Sequence, residues 1–161
     1  MRVLYHEPQR KSEILEKDLG AEYRADLKDL LSASDFISLH VPLTPATDKL
    51  IGRTEFQLMK KTAVFINTAR GGIVDQEALY EALSSGRIFA AGLDVTAIEP
   101  IPPDDPLLKL NNVIITPHIG SASFQTRRRM ALMAAENLLA GLRRELPPHC
   151  VNPEALKTKI P

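Results

Sequence analysis

Short apolar runs alternate with segments of helical periodicity along most of the chain. The apolar runs predict strands at residues 2–5, 21–23, 36–41, 63–66, 88–95 and 113–115. Between them, apolar residues recur three and four positions apart, which predicts helices that open after Ser12 and Asp75 and end at Gly20 and Gly86. The longest helix is predicted over residues 121–144. Strands that alternate with helices indicate an α/β fold with a parallel sheet.

Three details of the pattern carry finer expectations. The run of residues 63–66 is apolar without interruption, which predicts a strand buried on both faces. His40 lies within another apolar run and is therefore interpreted as a packed core histidine. In the longest helix, Met130, Met133 and Leu138 follow the spacing of one apolar face.

The composition argues against several classes of function. The 161 residues carry 20 basic and 20 acidic side chains, so the formal net charge is zero, whereas a protein that binds nucleic-acid phosphates needs a basic surplus. The low aromatic content, 5% with no tryptophan, argues against a stacking platform for single strands. The single cysteine, Cys150, excludes a disulfide framework, and the four dispersed histidines do not suggest a metal cluster. Neither a nucleic-acid partner nor a metal is expected.

The sequence shows no recognisable targeting or membrane segment. Its first residues lack the apolar stretch and the cleavage site of a signal peptide, and no apolar run approaches the roughly 18 residues that a membrane span needs. These features predict a soluble protein of the cytoplasm, with no membrane partner.

Arg70, Glu99 and His118 each follow one of three successive predicted strands. Ligands of parallel sheets bind outside the carboxyl ends of the strands, so we expect these three side chains at one edge of the sheet. Taken singly, each fits a plain role: a solvated loop arginine, a surface acid and a structural histidine. Together they supply an anion clamp, a carboxylate and an imidazole.

This combination suits the reduction of a 2-oxo acid. A carboxylate beside an imidazole orients the ring and favours its protonated form, which makes His118 a general acid near neutral pH. Arg70 would hold the substrate carboxylate and polarise its carbonyl, and the hydride would come from a cofactor. Other chemistries have less support, because the sequence contains no GxSxG, phosphate-loop, HExxH or CxxC motif.

Five stretches of the sequence together form a specific set of motifs. They are residues 40–45, 65–72, 92–95 with Glu99-Pro100, 117–121 and 135–142. On these stretches the chain resembles the C-terminal half of the D-isomer-specific 2-hydroxyacid dehydrogenases, and within them the glyoxylate/hydroxypyruvate reductases. The resemblance implies an oxidoreductase that transfers a hydride between NAD or NADP and a small 2-oxo acid such as glyoxylate or hydroxypyruvate. It also implies a homodimer.

The resemblance assigns roles to single residues as well. The catalytic residues it implies are Arg70, which binds substrate, Glu99, which supports the acid, and His118, the acid/base. The residues it places at the substrate are Arg70, His118, Gly120 and Ser121. The residues it places at the cofactor are Pro42, Thr68, Asp94, His118 and Gly120, with Asp94 at the nicotinamide carboxamide.

The GxGxxG loop with which the family cradles the cofactor pyrophosphate is absent, since none of the eight glycines shows this spacing. The expected fold is therefore a Rossmann-like, doubly wound parallel sheet that is incomplete, without its first strand and Gly-rich loop. Residues 1–120 would be the C-terminal portion of the dinucleotide-binding domain. Residues 121–161 would be a long helix and tail that return to an absent substrate domain. In the strand order 3-2-1-4-5-6, strand 1 lies between strands 2 and 4, so its absence leaves an unpaired edge on each of these two strands.

Two choices stay open from the sequence. Glu7 follows the first predicted strand, where an acid holds the ribose 2′-hydroxyl of NAD, whereas Arg10 and Lys11 could accept the 2′-phosphate of NADP. The chain is an oxidoreductase or a fragment of one, or else a catalytically inactive truncated paralogue that serves as a binding, dimerisation or corepressor-like module. The intact set of three catalytic residues favours the enzyme, and the missing loop makes activity of this chain alone doubtful.

Overall fold

The chain divides into two units, Met1–His118 and Ile119–Pro161, in a computed structural model that describes residues 1–155. All the strands that the structure describes belong to the first unit. The boundary between the units falls two residues before the end of the predicted dinucleotide-binding portion, 1–120. The part of the predicted segment 121–161 beyond residue 155 lies outside the described residues.

The first unit begins with a parallel pair of strands. Strand β1 (Val3–Tyr5) pairs with β2 (Ala21–Tyr23), and helix α1 (Glu13–Leu19) connects them. The Ser12 hydroxyl caps α1 by accepting the N–H of Leu15, and Gly20 ends the helix in the left-handed conformation, with φ of 60°. Both helix signals predicted from the sequence are confirmed here. Helix α2 (Leu27–Ala33) then leads to the second sheet.

The second sheet has the order β3-β4-β5-β6, and every pair of neighbours is parallel. Its strands are β3 (Phe36–Leu39), β4 (Val64–Asn67), β5 (Ala90–Leu93) and β6 (Val113–Ile115). Helix α3 (Arg53–Leu58) connects β3 to β4, and α4 (Gln76–Ser84), capped by Asp75, connects β4 to β5. Alternating strands and helices in a parallel sheet confirm the predicted α/β class.

The core lies on one face of the four-stranded sheet. Phe65 of β4 meets Phe56 of α3 edge-on, with ring centroids 5.3 Å apart, and both rings are fully buried. On the opposite face Phe36 is 64% and Ile114 is 73% exposed. The prediction that residues 63–66 are buried on both faces is therefore wrong, because α3 and α4 cover one face of β4 only.

His40 also differs from its prediction. Strand β3 ends at Leu39, and His40 is exposed, with its Nε2 atom 2.9 Å from the hydroxyl of Ser38. Side chains two residues apart leave a strand on the same side, so His40 lies on the exposed side with Ser38. An apolar run shows where a strand passes but does not show which of its faces is covered.

In the described part of the chain, β1 pairs only with β2, and β3 pairs only with β4. No strand pairing joins the two sheets there. Separate sheets with one-sided strands are the arrangement expected when the central strand of a doubly wound sheet is missing. The fold is thus a partial Rossmann-like domain.

The second unit consists mainly of helix α5 (Phe124–Leu142), which the Ser123 hydroxyl caps by accepting the N–H of Thr126. It begins three residues later than predicted. Its side chains are largely exposed: Met130 is 54% and Leu138 is 64% accessible, and Ala140 is buried. None of the described helices combines the length and apolarity needed to cross a membrane.

Candidate active site

The carboxyl ends of β4, β5 and β6 lie side by side, because Asn67 is in register with Leu93 and Leu93 with Ile115. The loops that follow these strands carry Arg70, Glu99 and His118. The structure therefore places all three residues at one edge of one parallel sheet. At about 4.8 Å per strand, the ends of β4 and β6 are separated by roughly 10 Å.

His118 and Glu99 are in direct contact. The Nδ1 atom of His118 lies 2.6 Å from Oε2 of Glu99, and the two side chains are 48% and 37% exposed. A carboxylate only accepts hydrogen bonds, so Nδ1 carries the shared proton and Nε2 is the ring nitrogen directed away from the acid. The contact fixes both the orientation and the tautomer of the imidazole.

The backbone of His118 is held in an unusual conformation. Its φ is 53°, in the left-handed region that few residues other than glycine adopt. Its N–H donates to the carbonyl of Asp94, at 2.9 Å, which ties the loop after β6 to the end of β5. Such conformations persist where the surrounding structure enforces them, and they cluster at functional sites.

Arg70 sits on a loop that a buried amide shapes. Asn67, 1% exposed at the end of β4, accepts the N–H of Ala69 at 3.0 Å and donates to the carbonyl of Arg70 at 2.9 Å. The exposed guanidinium donates to the carbonyl of Ala69 and forms no ion pair with an acid within residues 1–155. Its charge is thus available to an anionic ligand.

A cleft of about 620 Å³ opens beside Arg70. Its lining residues are Leu39, His40, Val41, Pro42, Leu43, Thr68, Ala69 and Arg70. The cleft lies at the carboxyl ends of β3 and β4 and includes Pro42 and Thr68, the two residues expected to line a cofactor groove. Glu99 and His118 are not part of its lining, so the cleft and the acid pair occupy different stretches of the same edge.

Asp94 joins three strand ends at this edge. The residue is 8% exposed; its N–H donates to the carbonyl of Asn67 at 2.9 Å, and its carboxylate accepts the hydroxyl of Thr116 at 2.5 Å. Its position near the acid pair follows from these bonds. Gly120 and Ser121, expected at the substrate, are exposed residues at the start of the second unit, ahead of α5.

The turn after β1 is crowded with charge. Arg10 makes a two-bonded ion pair with Glu16, both distances being 2.8 Å, and Lys11 pairs with Glu7 at 3.1 Å. The hydrogen bonds from Arg10 and then from Tyr5 lower the pKa of Glu16 from 4.5 to about 2, and the same ion pair raises the pKa of Arg10. Both cations that sequence analysis offered to a 2′-phosphate are engaged by acids.

Asn67 and Gly71 shape this edge of the sheet, although neither was among the predicted site residues. A Cβ atom on Gly71 would lie 1.9 Å from the carbonyl oxygen of Thr96, so glycine alone lets the loops after β4 and β5 touch. The signal for Asn67 was available: an amide that ends a buried apolar run. Within the described residues, no cluster of three metal-ligating side chains occurs.

A parallel α/β sheet with its polar side chains gathered at the carboxyl edge is typical of the nucleotide-binding domains of dehydrogenases. Residues 1–120 match the family described as D-isomer specific 2-hydroxyacid dehydrogenase, NAD binding domain. The chain belongs to this family, which confirms the resemblance drawn from its motifs.

Curated relatives and solved structures agree with this assignment. The chain is 55% identical over 161 residues to the glyoxylate reductase of Korarchaeum cryptofilum, which covers all of this chain and 48% of that protein. It is 55% identical over 132 residues to the glyoxylate reductase/hydroxypyruvate reductase of Mus musculus, covering 80% of this chain and 40% of the other. The chain thus spans about half the length of the archaeal relative and less of the mouse enzyme.

Among solved structures, a protein from Thermus thermophilus is 50% identical and superimposes with a TM-score of 0.85, over 94% of this chain and 46% of that one. The NAD-complexed D-isomer specific 2-hydroxyacid dehydrogenase of Lactobacillus delbrueckii is 32% identical, with a TM-score of 0.77, over 94% and 48%. Both likenesses confirm the Rossmann-type fold of the described part.

Proposed function

We propose that this chain carries the catalytic groups of a nicotinamide-dependent reductase that acts on glyoxylate or hydroxypyruvate. The observation that carries the proposal is the 2.6 Å contact between His118 Nδ1 and Glu99 Oε2, at the sheet edge that also holds Arg70. The printed activities of the relatives supply the substrate class. Cytoplasmic location stays a prediction from the sequence features, and homodimerisation stays a prediction from the family resemblance.

His118 acts as the general acid in this proposal. With Nδ1 donating to Glu99, Nε2 is the atom that gives a proton to the carbonyl oxygen of the substrate, while Glu99 stabilises the charged ring. Glu99 keeps the His118 ring in one tautomer and one orientation, so the proton on Nε2 is already directed at the substrate and no reorientation of the ring is needed. In the reverse reaction the same nitrogen removes the hydroxyl proton.

Arg70 binds the substrate. Its planar guanidinium can hold a carboxylate by two parallel hydrogen bonds, and no acid among residues 1–155 competes for it. The bound carboxylate fixes the neighbouring carbonyl in the site, where the positive charge favours the developing negative oxygen. The proposal therefore predicts a preference for 2-oxo acids over simple aldehydes.

The residues present fit a nicotinamide cofactor in part. The cleft that Pro42, Thr68 and Arg70 line has the volume and mixed lining of a small-molecule site, and Asp94 lies at the same edge. A bound nicotinamide supplies the hydride. The sequence contains no GxGxxG loop for the pyrophosphate. The residues proposed to bind the cofactor therefore contact its nicotinamide half, apart from Glu7, which is proposed to contact the ribose that carries the 2′-hydroxyl.

We further propose that NAD is the preferred cofactor. Arg10 is engaged by Glu16 and Lys11 by Glu7, and a 2′-phosphate would have to displace an acid from one of them. Glu7, two residues after β1, pairs with Lys11 through one carboxylate oxygen and can accept the ribose 2′-hydroxyl through the other. Steady-state KM values for NADH and NADPH, measured on the hybrid enzyme described in the next paragraph, decide the choice: a lower KM for NADPH would contradict it.

A hybrid enzyme tests the proposed activity. It joins this chain to the part of the Korarchaeum cryptofilum glyoxylate reductase that the chain does not cover. Oxidation of NADH in the presence of glyoxylate or hydroxypyruvate is expected, and the same mixture without the 2-oxo acid is the control. A folded hybrid that binds NADH but reduces neither acid would contradict the proposal. It would favour the alternative, a catalytically inactive module, which the relatives' reductase activities do not favour at present.

A further inference from the structure

We infer that Gln76, the first residue of α4, is a positioning residue that holds Glu99 against His118. The inference rests on the proposed function, because it concerns the pair assigned there as acid and supporting carboxylate. Gln76 itself contacts neither member of the pair. It acts on the loop between β5 and β6, at two points on either side of Glu99.

Glu99 lies in a stretch of loop that has no anchor of its own in the core. Residues 97–100 are all exposed, and the largest side chain beside Glu99, that of Ile98, is 63% accessible. The loop meets the core only outside this stretch, at buried Thr96 on one side and at half-buried Ile101 and fully buried Leu107 on the other. Residues 97–100 have no apolar packing of their own, so the precise position of the carboxylate in the 2.6 Å contact calls for polar anchors on the loop.

The side-chain amide of Gln76 bridges this gap. Its Oε1 accepts the N–H of Ala97 at 2.9 Å, and its Nε2 donates to Oδ2 of Asp105 at 2.7 Å. The other carboxylate oxygen of Asp105 accepts the N–H of Leu107 at 2.9 Å. One amide thus ties the entrance of the loop to its exit and anchors both to the start of α4.

The anchor is rigid because α4 is part of the core. Ala78, Leu79, Ala82 and Leu83 of this helix are buried, and Asp75 caps its first turn. The half-buried Gln76 therefore has a fixed backbone from which to hold the loop. Within the exposed stretch, the hydroxyl of Thr96 adds one bond, to the carbonyl of Ile98 at 2.7 Å.

The chemistry of the bridge requires glutamine. It needs one acceptor for an N–H and one donor for a carboxylate, which a primary amide provides at its two ends. A glutamate would place a second carboxylate against Asp105, and methionine would offer neither group. Asparagine has the right groups but is one methylene shorter, so it cannot reach both partners from the same backbone position.

The tautomer of His118 reports on the inference without turnover or cofactor. ¹⁵N NMR of the 161-residue chain at about pH 9, where an ordinary imidazole is neutral, distinguishes Nδ1–H from Nε2–H; the His118→Gln variant assigns the signal. The wild type is expected to favour Nδ1–H, and Glu99→Ala to shift the population toward Nε2–H. Gln76→Met is expected to shift it in the same direction, by about half as much or more.

The matched control is Gln57→Met, which removes another glutamine amide, bonded to the side chain of Arg87 at 3.0 Å and outside this loop. It should leave the His118 tautomer unchanged. Should Gln76→Met fail to fold, Gln76→Asn keeps a polar residue at the helix start and makes the same prediction. Amide exchange of Ala97 should accelerate in both Gln76 variants.

Two different failures are distinguishable. If Glu99→Ala moves the His118 tautomer but folded Gln76 variants leave it as in the wild type, Gln76 does not position the pair and this inference is overturned. If Glu99→Ala itself leaves the tautomer unchanged, the Glu99–His118 pair fails, and the proposed function fails with it.

Discussion

Gly71 is the point where the Arg70 loop meets the loop that carries Glu99. The carbonyl of Thr96 occupies the space that any side chain on Gly71 would need. Two side-chain amides hold these loops in place. Asn67 bonds to the backbone of Ala69 and Arg70, and Gln76 bonds to the backbone of the Glu99 loop from the start of α4. At the scale of single residues, the proposed catalytic groups are thus placed by small and neutral neighbours.

Gly71→Ala should destabilise the fold by about 1–3 kcal/mol or more, because the new methyl group forces two backbone segments apart. Urea denaturation measures the loss. Gly92→Ala is the matched control, since a Cβ on Gly92 meets nothing within 4 Å. Equal stability of the two variants would show that the loops do not pack as described.

Arg70→Lys keeps the charge but loses the planar fork. In the hybrid enzyme, we expect the KM for glyoxylate to rise by about 10- to 100-fold, the cost of a charged hydrogen bond. The KM for NADH should stay within about twofold, because the substitution leaves the positive charge beside the cleft. An unchanged glyoxylate KM would remove Arg70 from the substrate site.

The elements show which parts of the fold a single sequence can predict. Local signals such as Ser12, Gly20 and Asp75 placed the helices correctly, because a cap depends on its own few residues. Burial was harder: His40 is exposed and the outer face of β4 is only half-buried, because α3 and α4 pack on the other face of the sheet. Whether a helix packs on a given strand face depends on segments that are distant in the sequence, and the local pattern of apolar residues carries no information about them.

The candidate site follows the same division. Three strand-end residues could be selected because parallel topology alone brings them to one edge. The bridge through Gln76 could not be predicted from the sequence. It joins Gln76 to Ala97 and Asp105, which are 21 and 29 positions away, and these contacts depend on how the loop folds. Even the tight approach at Gly71 requires knowledge of where Thr96 lies.

Helix α1 gives the pH dependence that the structure predicts. The bonds to Glu16 lower its pKa from 4.5 to about 2, so this carboxylate stabilises the fold above its ordinary pKa and loses that contribution as the pH falls from about 4.5 to 2. Glu16→Gln should therefore flatten the decline of the urea midpoint over this range. Glu13→Gln, on the same helix, leaves the bonds of Glu16 in place and should decline like the wild type.

At the scale of the whole molecule, the chain exposes apolar surface and spans about half the length of its archaeal relative. Phe36 and Ile114 emerge from the same uncovered face of the four-stranded sheet, and β3 has an unpaired edge in the described chain. Exposed apolar patches and strand edges promote association. The 161 residues alone should reduce neither glyoxylate nor hydroxypyruvate measurably, since the phosphate loop is not among them.

The purified chain should self-associate in a concentration-dependent way. Sedimentation velocity measures this, and the pair of substitutions Phe36→Ser and Ile114→Ser should shift the distribution toward monomer. Replacing two exposed serines, Ser32→Ala and Ser84→Ala, tests whether any surface change has this effect. A monomer at all concentrations would show that the uncovered sheet face does not drive association.

The central claim is that His118, oriented by Glu99, gives the proton in the reduction of a 2-oxo acid. Its most direct test is the kcat of glyoxylate reduction by the hybrid enzyme with His118 replaced by glutamine. We predict a fall of about 10²- to 10⁴-fold, as for the loss of a general acid, with NADH binding retained. A His118→Gln enzyme that turns over at the wild-type rate would contradict the account.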